Sequence, residues 1–285
     1  MSVALMYHGI FPDHDLSSID AEDHPYAVSV SDFTRQLDLL VECKVGLYSS
    51  GSIPDVVITF DDGHASNLQL AAPLLLERNL PAYFFVTSDF IERRKHFLSG
   101  AELFELSQLP GLCIGSHGKT HRFFNDMSSE DSEKELVKSR QTLERLCGSA
   151  CRSISFPGGR FSLQTLNQLS SAGYTQWFGS EVDVIGPERL RHDPPSVNGL
   201  STLHDAQSTD DLFPDRWSLL SQRGAQPLGR VAIRNNTQLM EFRRIIGQEP
   251  AYFRRKRLNS QVKRFARRVI GNRLYHGLYK SIAER

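Results

Sequence analysis

Three short segments of the chain carry the residue types that chemistry needs. In Val57-Ile58-Thr59-Phe60-Asp61-Asp62-Gly63, two adjacent carboxylates follow a run of apolar and β-branched residues. Two acids at the end of a buried strand are costly unless a positive charge lies beside them. They suit a cation site and general-base work, and Asp-Asp-Gly is equally ordinary turn chemistry. Ile114-Gly115-Ser116-His117-Gly118-Lys119-Thr120-His121 places two imidazoles four residues apart. On a helix or a tight turn such a pair converges on one metal ion; on an exposed loop it is two surface histidines. Ser155-Phe156-Pro157-Gly158-Gly159 ends another apolar run in a turn with open backbone amides, or is simply a loop. His8 and His64 could line a site with these groups, His64 being also readable as an exposed turn residue.

What positions them is a recurring unit of short apolar run and helical pattern. Val3–Tyr7, Val56–Phe60, Ala82–Thr87, Cys113–Gly115 and Ser153–Phe156 read as strands. Ser31–Glu42, Leu68–Arg78, Ser128–Leu146 and Ser162–Ala172 read as helices, Pro73 bending or delaying the second. Fully apolar strands alternating with helices indicate a mostly parallel sheet covered by helices. The pattern suits a barrel or a doubly wound sheet alike. In a barrel, functional residues gather where strands end and loops begin, which is where the three segments lie.

Composition bounds the rest. The 285 residues are 40% hydrophobic and 23% charged, an ordinary globular balance that excludes a fibrous or disordered chain. The formal net charge is zero, yet it averages two unlike parts. From Arg230 onward there are 15 Lys and Arg against three acids, and before it 18 against 30. No CxxC pair occurs among the four cysteines, so reduced thiols are the plain reading. The opening apolar run is too short for a signal peptide or a membrane span, and the expectation is a cytoplasmic protein.

The order of the three segments changes their weight. Thr-Phe-Asp-Asp-Gly, Ser-His-x-x-x-His and Phe-Pro-Gly-Gly at successive strand ends resemble the polysaccharide deacetylase family, also called the NodB-homology or carbohydrate esterase family 4 fold. Met6-Tyr7-His8 is similar to the exopolysaccharide-biosynthesis branch, and Gly173-Tyr174 also fits. The resemblance covers roughly residues 1–200. It implies an α/β fold, a distorted (β/α) barrel, that removes N-acetyl groups from amino sugars with one divalent metal, zinc first. By motif it implies Asp62, His117 and His121 as metal ligands and Asp61 as catalytic base. It implies the Gly158 amide as an oxyanion donor and Leu190-Arg191-His192 as the segment supplying a general acid, His192, with Arg191 beside it. Trp177 is expected as a wall for the sugar ring or as a core aromatic. The family's arginine near the Phe-Pro segment has Arg152 or Arg160 as counterpart.

Residues 1–229 are thus expected to form the catalytic domain and 230–285 a basic helical C-terminal extension. In the extension Leu258, Val262, Phe265 and Val269 make an apolar stripe flanked by cations. Such a helix meets an anionic membrane surface, or docks its apolar face on the acidic body. No nucleic-acid partner is expected, because no such module accompanies the charge. The partner implied is an N-acetylated saccharide, of a polysaccharide or its lipid-linked precursor. The other readings are an amidase acting on a different small C–N bond, and a non-catalytic saccharide-binding module.

Overall fold

A computed structural model of the chain describes residues 3–43, 56–182 and 227–259. Nine strands and six helices carry the argument: β1 (Val3–Tyr7), β2 (Ile10–Phe11), β3 (Val28–Ser29), α1 (Val30–Glu42), β4 (Val56–Phe60), α2 (Ala72–Glu77), β5 (Ala82–Val86), α3 (Gly100–Ser107), β6 (Leu112–Ser116), α4 (Ser129–Cys147), β7 (Ser153–Ser155), α5 (Leu163–Gln168), β8 (Gln176–Phe178), β9 (Arg230–Ala232) and α6 (Leu239–Ile246). Seven strands form one parallel sheet in the order β8-β7-β6-β5-β4-β1-β9. Residues 228–232 reach both ends of it. On one side Ala4, Leu5 and Met6 pair with Arg230, Val231 and Ala232. On the other, Leu228 and Arg230 exchange backbone hydrogen bonds with Trp177, Gly179 and Glu181. The sheet therefore closes on itself, leaving no central edge. The α/β barrel expected from the motifs is the fold observed.

Alternation along each strand decides what fills the barrel. Val3, Leu5, Tyr7, Val56, Ile58 and Phe60 face the helices and join the large outer core, with Phe33, Leu37 and Leu40 of α1. Ala4, Val57, Tyr83, Phe85, Cys113, Phe178 and Leu228 form a second cluster inside the ring. The same period carries Thr59 and then Asp61 to the interior above Val57.

Local chemistry explains the helix boundaries. Ser29, Ser99, Ser128 and Ser162 cap α1, α3, α4 and α5 by accepting a backbone N–H three residues on. Pro73 has no N–H to donate, and the chain takes one π-helical turn at Asn67–Ala71 before α2 begins. The expected helix Leu68–Arg78 is therefore two pieces. Ser162–Ala172 is shorter than expected, α5 ending at Gln168.

The expected division at residue 229 needs correction. β9 lies in the central sheet, and α6 buries Phe242, Ile245 and Ile246 in the outer core. Residues 250–259 are helical, and Phe253 from that stretch is completely buried in the same core. The basic segment is thus built into the barrel up to this point. Val262, Phe265 and Val269 of the expected stripe lie outside the described residues. Among those described, no helix is long and apolar enough to cross a membrane.

Candidate active site

The C-terminal ends of β1, β4, β6 and β7 bring His8, Asp61, Asp62, His117 and the Phe-Pro-Gly-Gly turn together. Asp62 adopts a left-handed φ of 74° directly after β4, and Gly63 follows at 89°. A side chain at Gly63 would meet Val86 Cγ1 at 2.8 Å, so only glycine lets the backbone turn away here. The turn points Asp62 Oδ1 at both histidines, 3.3 Å from His117 Nε2 and 3.1 Å from His121 Nε2. His117 Nδ1 lies 2.9 Å from the carbonyl of Ser155 and must be the protonated nitrogen, since the carbonyl only accepts. Nε2 of a neutral His117 therefore presents its lone pair to the site, the arrangement that ligating histidines adopt. Burial pushes His117 down to about 4, which keeps it neutral at pH 7.

The three residues suit a metal ion on their own chemistry. Their ligand atoms lie within 4.8 Å of one another. Asp62 Oδ1 is buried without a hydrogen bond of good geometry, facing a lone pair on His117. Two acceptors at that distance require a proton or a cation between them. Burial opposes ionisation of Asp62, but its contacts with His121 and the neighbouring imidazoles hold it well below the usual carboxylate range. Two imidazoles and one carboxylate match the ligand preferences of zinc and leave coordination positions open. A second acidic group, Asp20, Glu22 and Asp23, converges instead on the Arg94 guanidinium, which pairs with all three carboxylates.

Asp61 is held differently. It points into the barrel, where Arg230 grips it with two bonds of 2.7 Å, Nη1 to Oδ1 and Nη2 to Oδ2. Arg230 is 1% exposed and spends its remaining donors on Thr59, Ser155 and the carbonyl of Gly179. Burial pushes the Asp61 carboxyl up, and the guanidinium overrides it, holding the group below its ordinary range. Asp61 Oδ2 stands 3.9 Å from His117 Nε2, at the edge of the ligand set without belonging to it.

Arg230 is the residue that sequence reasoning missed. Arg160 stacks on Phe123 at 4.2 Å, and Arg152 is exposed, so neither is the partner of Asp61. A signal was present. Arg230 interrupts the apolar run Leu228–Ile233 at a period-two position, where an unpaired charge would be expelled.

The other expected residues divide. Gly158 lies at φ 59°, and a side chain there would approach Phe123 Cε1 to 2.8 Å, so this turn demands glycine. His8 faces the centre, its Nε2 4.0 Å from Asp62 Oδ2 and its ring against Tyr26. Burial lowers its pKa. His64 is fully buried against Phe97 rather than exposed in a turn. Trp177 alternates with Gln176 and Phe178, which face the barrel interior, and it packs in the helix-side core; it is not a wall of the site. Arg191 and His192 lie outside the described residues.

The barrel and this constellation can now be set beside known proteins. Residues 49–177 match the family model of polysaccharide deacetylase, so the resemblance read from the motifs is shown for that stretch. YxkH of Bacillus subtilis (strain 168), whose name assigns it to the polysaccharide deacetylases, is 31% identical over 119 residues. The match covers 42% of this chain and 42% of that protein. The fold resembles the Streptococcus pyogenes deacetylase PplD solved in complex with acetate, with a TM-score of 0.61 at 17% identity, covering 86% of this chain and 97% of that one. IcaB from Ammonifex degensii gives 0.61 at 18% identity, over 86% and 95% of the two chains. A de-N-acetylase from Aggregatibacter actinomycetemcomitans gives 0.62 at 16% identity, over 86% and 99%.

Proposed function

We propose that this protein is a metal-dependent hydrolase that removes N-acetyl groups from the amino sugars of a polysaccharide or its lipid-linked precursor. The observation that carries the reading is the convergence of Asp62, His117 and His121 beside an Arg-held carboxylate, with a buried Asp62 oxygen that lacks a good partner. A divalent ion bound there supplies Lewis-acid polarisation of the acetyl carbonyl and a more acidic water. Asp61 is the base in this reading. Arg230 keeps it ionised and fixes its orientation, so it accepts the water proton without a conformational search. The Gly158 amide donates to the developing oxyanion. His192 protonates the leaving amine, Arg191 assists on the same segment, and His8 lines the substrate side.

Metal analysis of purified protein is expected to find about one divalent ion per chain, with zinc the first candidate. Chelation should abolish acetate release from N-acetylated oligosaccharides, and added ion should restore it. A metal-free protein with full activity contradicts the mechanism.

The basic segment is proposed to meet an anionic membrane surface. Residues 250–259 turn Phe253 inward while Arg254, Arg255 and Leu258 are exposed, which leaves cations and an apolar side chain facing out. A chain ended after residue 259 should bind vesicles of anionic lipid more weakly than the full chain, in a sedimentation assay. Equal binding favours docking of the tail on the body instead.

A further inference from the structure

The His-x-x-x-His segment is not helical, and its convergence needs an explanation. Gly118 has a φ of 78° and His121 a φ of 63°, so two of the turn's residues are left-handed. Glycine takes that conformation freely; histidine does not, and such residues persist only where their surroundings over-determine them. The restraint comes from α4. Glu135, 6% exposed on the inner face of that helix, accepts the backbone N–H of Lys119 at 2.7 Å and of Thr120 at 2.9 Å with one carboxylate oxygen. Its other oxygen accepts the Thr120 hydroxyl at 2.6 Å. One turn further along α4, Ser139 bonds Ser116 at 2.8 Å, and Ser116 in turn accepts the Gly118 amide at 3.1 Å. Three consecutive amides between the two histidines are therefore anchored to one helix.

We infer that Glu135 is a positioning residue of the metal centre, whose carboxylate shapes the 118–120 turn so that His117 and His121 meet Asp62 together. The inference deepens the function proposed above and rests on its reading of Asp62, His117 and His121 as ligands. Burying a carboxylate on a packed helix face is costly unless several donors satisfy it. Here all the donors belong to the turn between the ligands. Neither a leucine nor a neutral amide reproduces the pattern. Glutamine keeps the shape but points a second donor at N–H groups or at a hydroxyl that must then reverse. With the clamp lost, His121 relaxes from its left-handed conformation and one ligand leaves the set.

The test is Glu135→Gln in the full chain, read by Zn2+ competition titration, by the visible absorption of the Co2+-loaded protein, and by thermal melting without metal. Outer partners of metal ligands typically contribute about 10–100-fold in affinity, and a Zn2+ Kd raised by that factor with altered Co2+ bands is expected. A folded Glu135→Gln protein with the wild-type Kd and the wild-type Co2+ spectrum overturns the inference, even if its melting temperature falls, because a merely structural role would do that. Should Glu135→Gln not fold, Thr120→Val removes one of the three donors from a half-buried position. A several-fold weaker Zn2+ affinity supports the clamp, and an unchanged one overturns it. A wild-type chain that binds neither ion overturns the ligand reading itself, a result distinct from equal binding by wild type and variant.

Discussion

Replacing Arg230 by methionine is expected to destabilise the fold by about 3–5 kcal/mol, the cost of leaving a buried charge without its partner. Arg230 satisfies both oxygens of Asp61, and neither group is more than 3% exposed. Methionine fills much of the volume, so the loss reports stranded charge rather than a cavity. Two relieving routes exist, protonation of Asp61 and unfolding, and both remove the ionised base. Denaturant unfolding at neutral pH measures the effect directly, and an unchanged midpoint would remove Arg230 from the account. Adding Asp61→Asn to Arg230→Met should recover a good part of the lost stability, because the stranded charge is then gone. Two changes in contact are expected to be non-additive in this way, and strict additivity would show that the pair is not coupled.

Asp61→Asn alone should lower turnover by about a hundred- to ten-thousand-fold, the usual contribution of a positioned acid or base. The amide keeps the shape and one acceptor oxygen but cannot take a proton. Asp61 is outside the ligand set, its Oδ2 3.9 Å from His117 Nε2, so metal content should stay at the wild-type level. The variant separates two readings of the adjacent carboxylates. Loss of metal together with turnover would make Asp61 a ligand, and retained turnover would show that another group is the base.

The parts of the site legible in the sequence were those written locally. Asp61-Asp62-Gly63 announces itself because two acids follow a five-residue run of apolar and β-branched side chains, and the His117/His121 spacing is readable within one segment. What could not be read was what lies beside them. Arg230 is 169 residues from Asp61, and only closure of the sheet through 228–232 makes them neighbours. The charge arithmetic pointed away from it, since it is the first cation of a basic stretch and looks like the start of an appendage. Burial sets the domain edge, and a parallel β9 with α6 buries its apolar side chains regardless of the cations on their outer faces. Trp177 shows a different gap. The adjacent pair Trp177-Phe178 fixes no parity until the register of β7 and β8 assigns Phe178 to the interior. Glu135 was one acid among many on an amphipathic helix, and nothing in its spacing reveals that its carboxylate meets a turn 15 residues earlier.

The measurement that tests the central claim most directly is acetate release from a panel of N-acetylated oligosaccharides and polyprenyl-linked sugars, using zinc-loaded wild-type protein beside zinc-loaded Asp61→Asn. The account predicts stoichiometric acetate and free amine from at least one substrate with wild type, and next to none with the variant at equal metal content. Acetate released equally by both proteins, or by neither while zinc is fully bound, would contradict it.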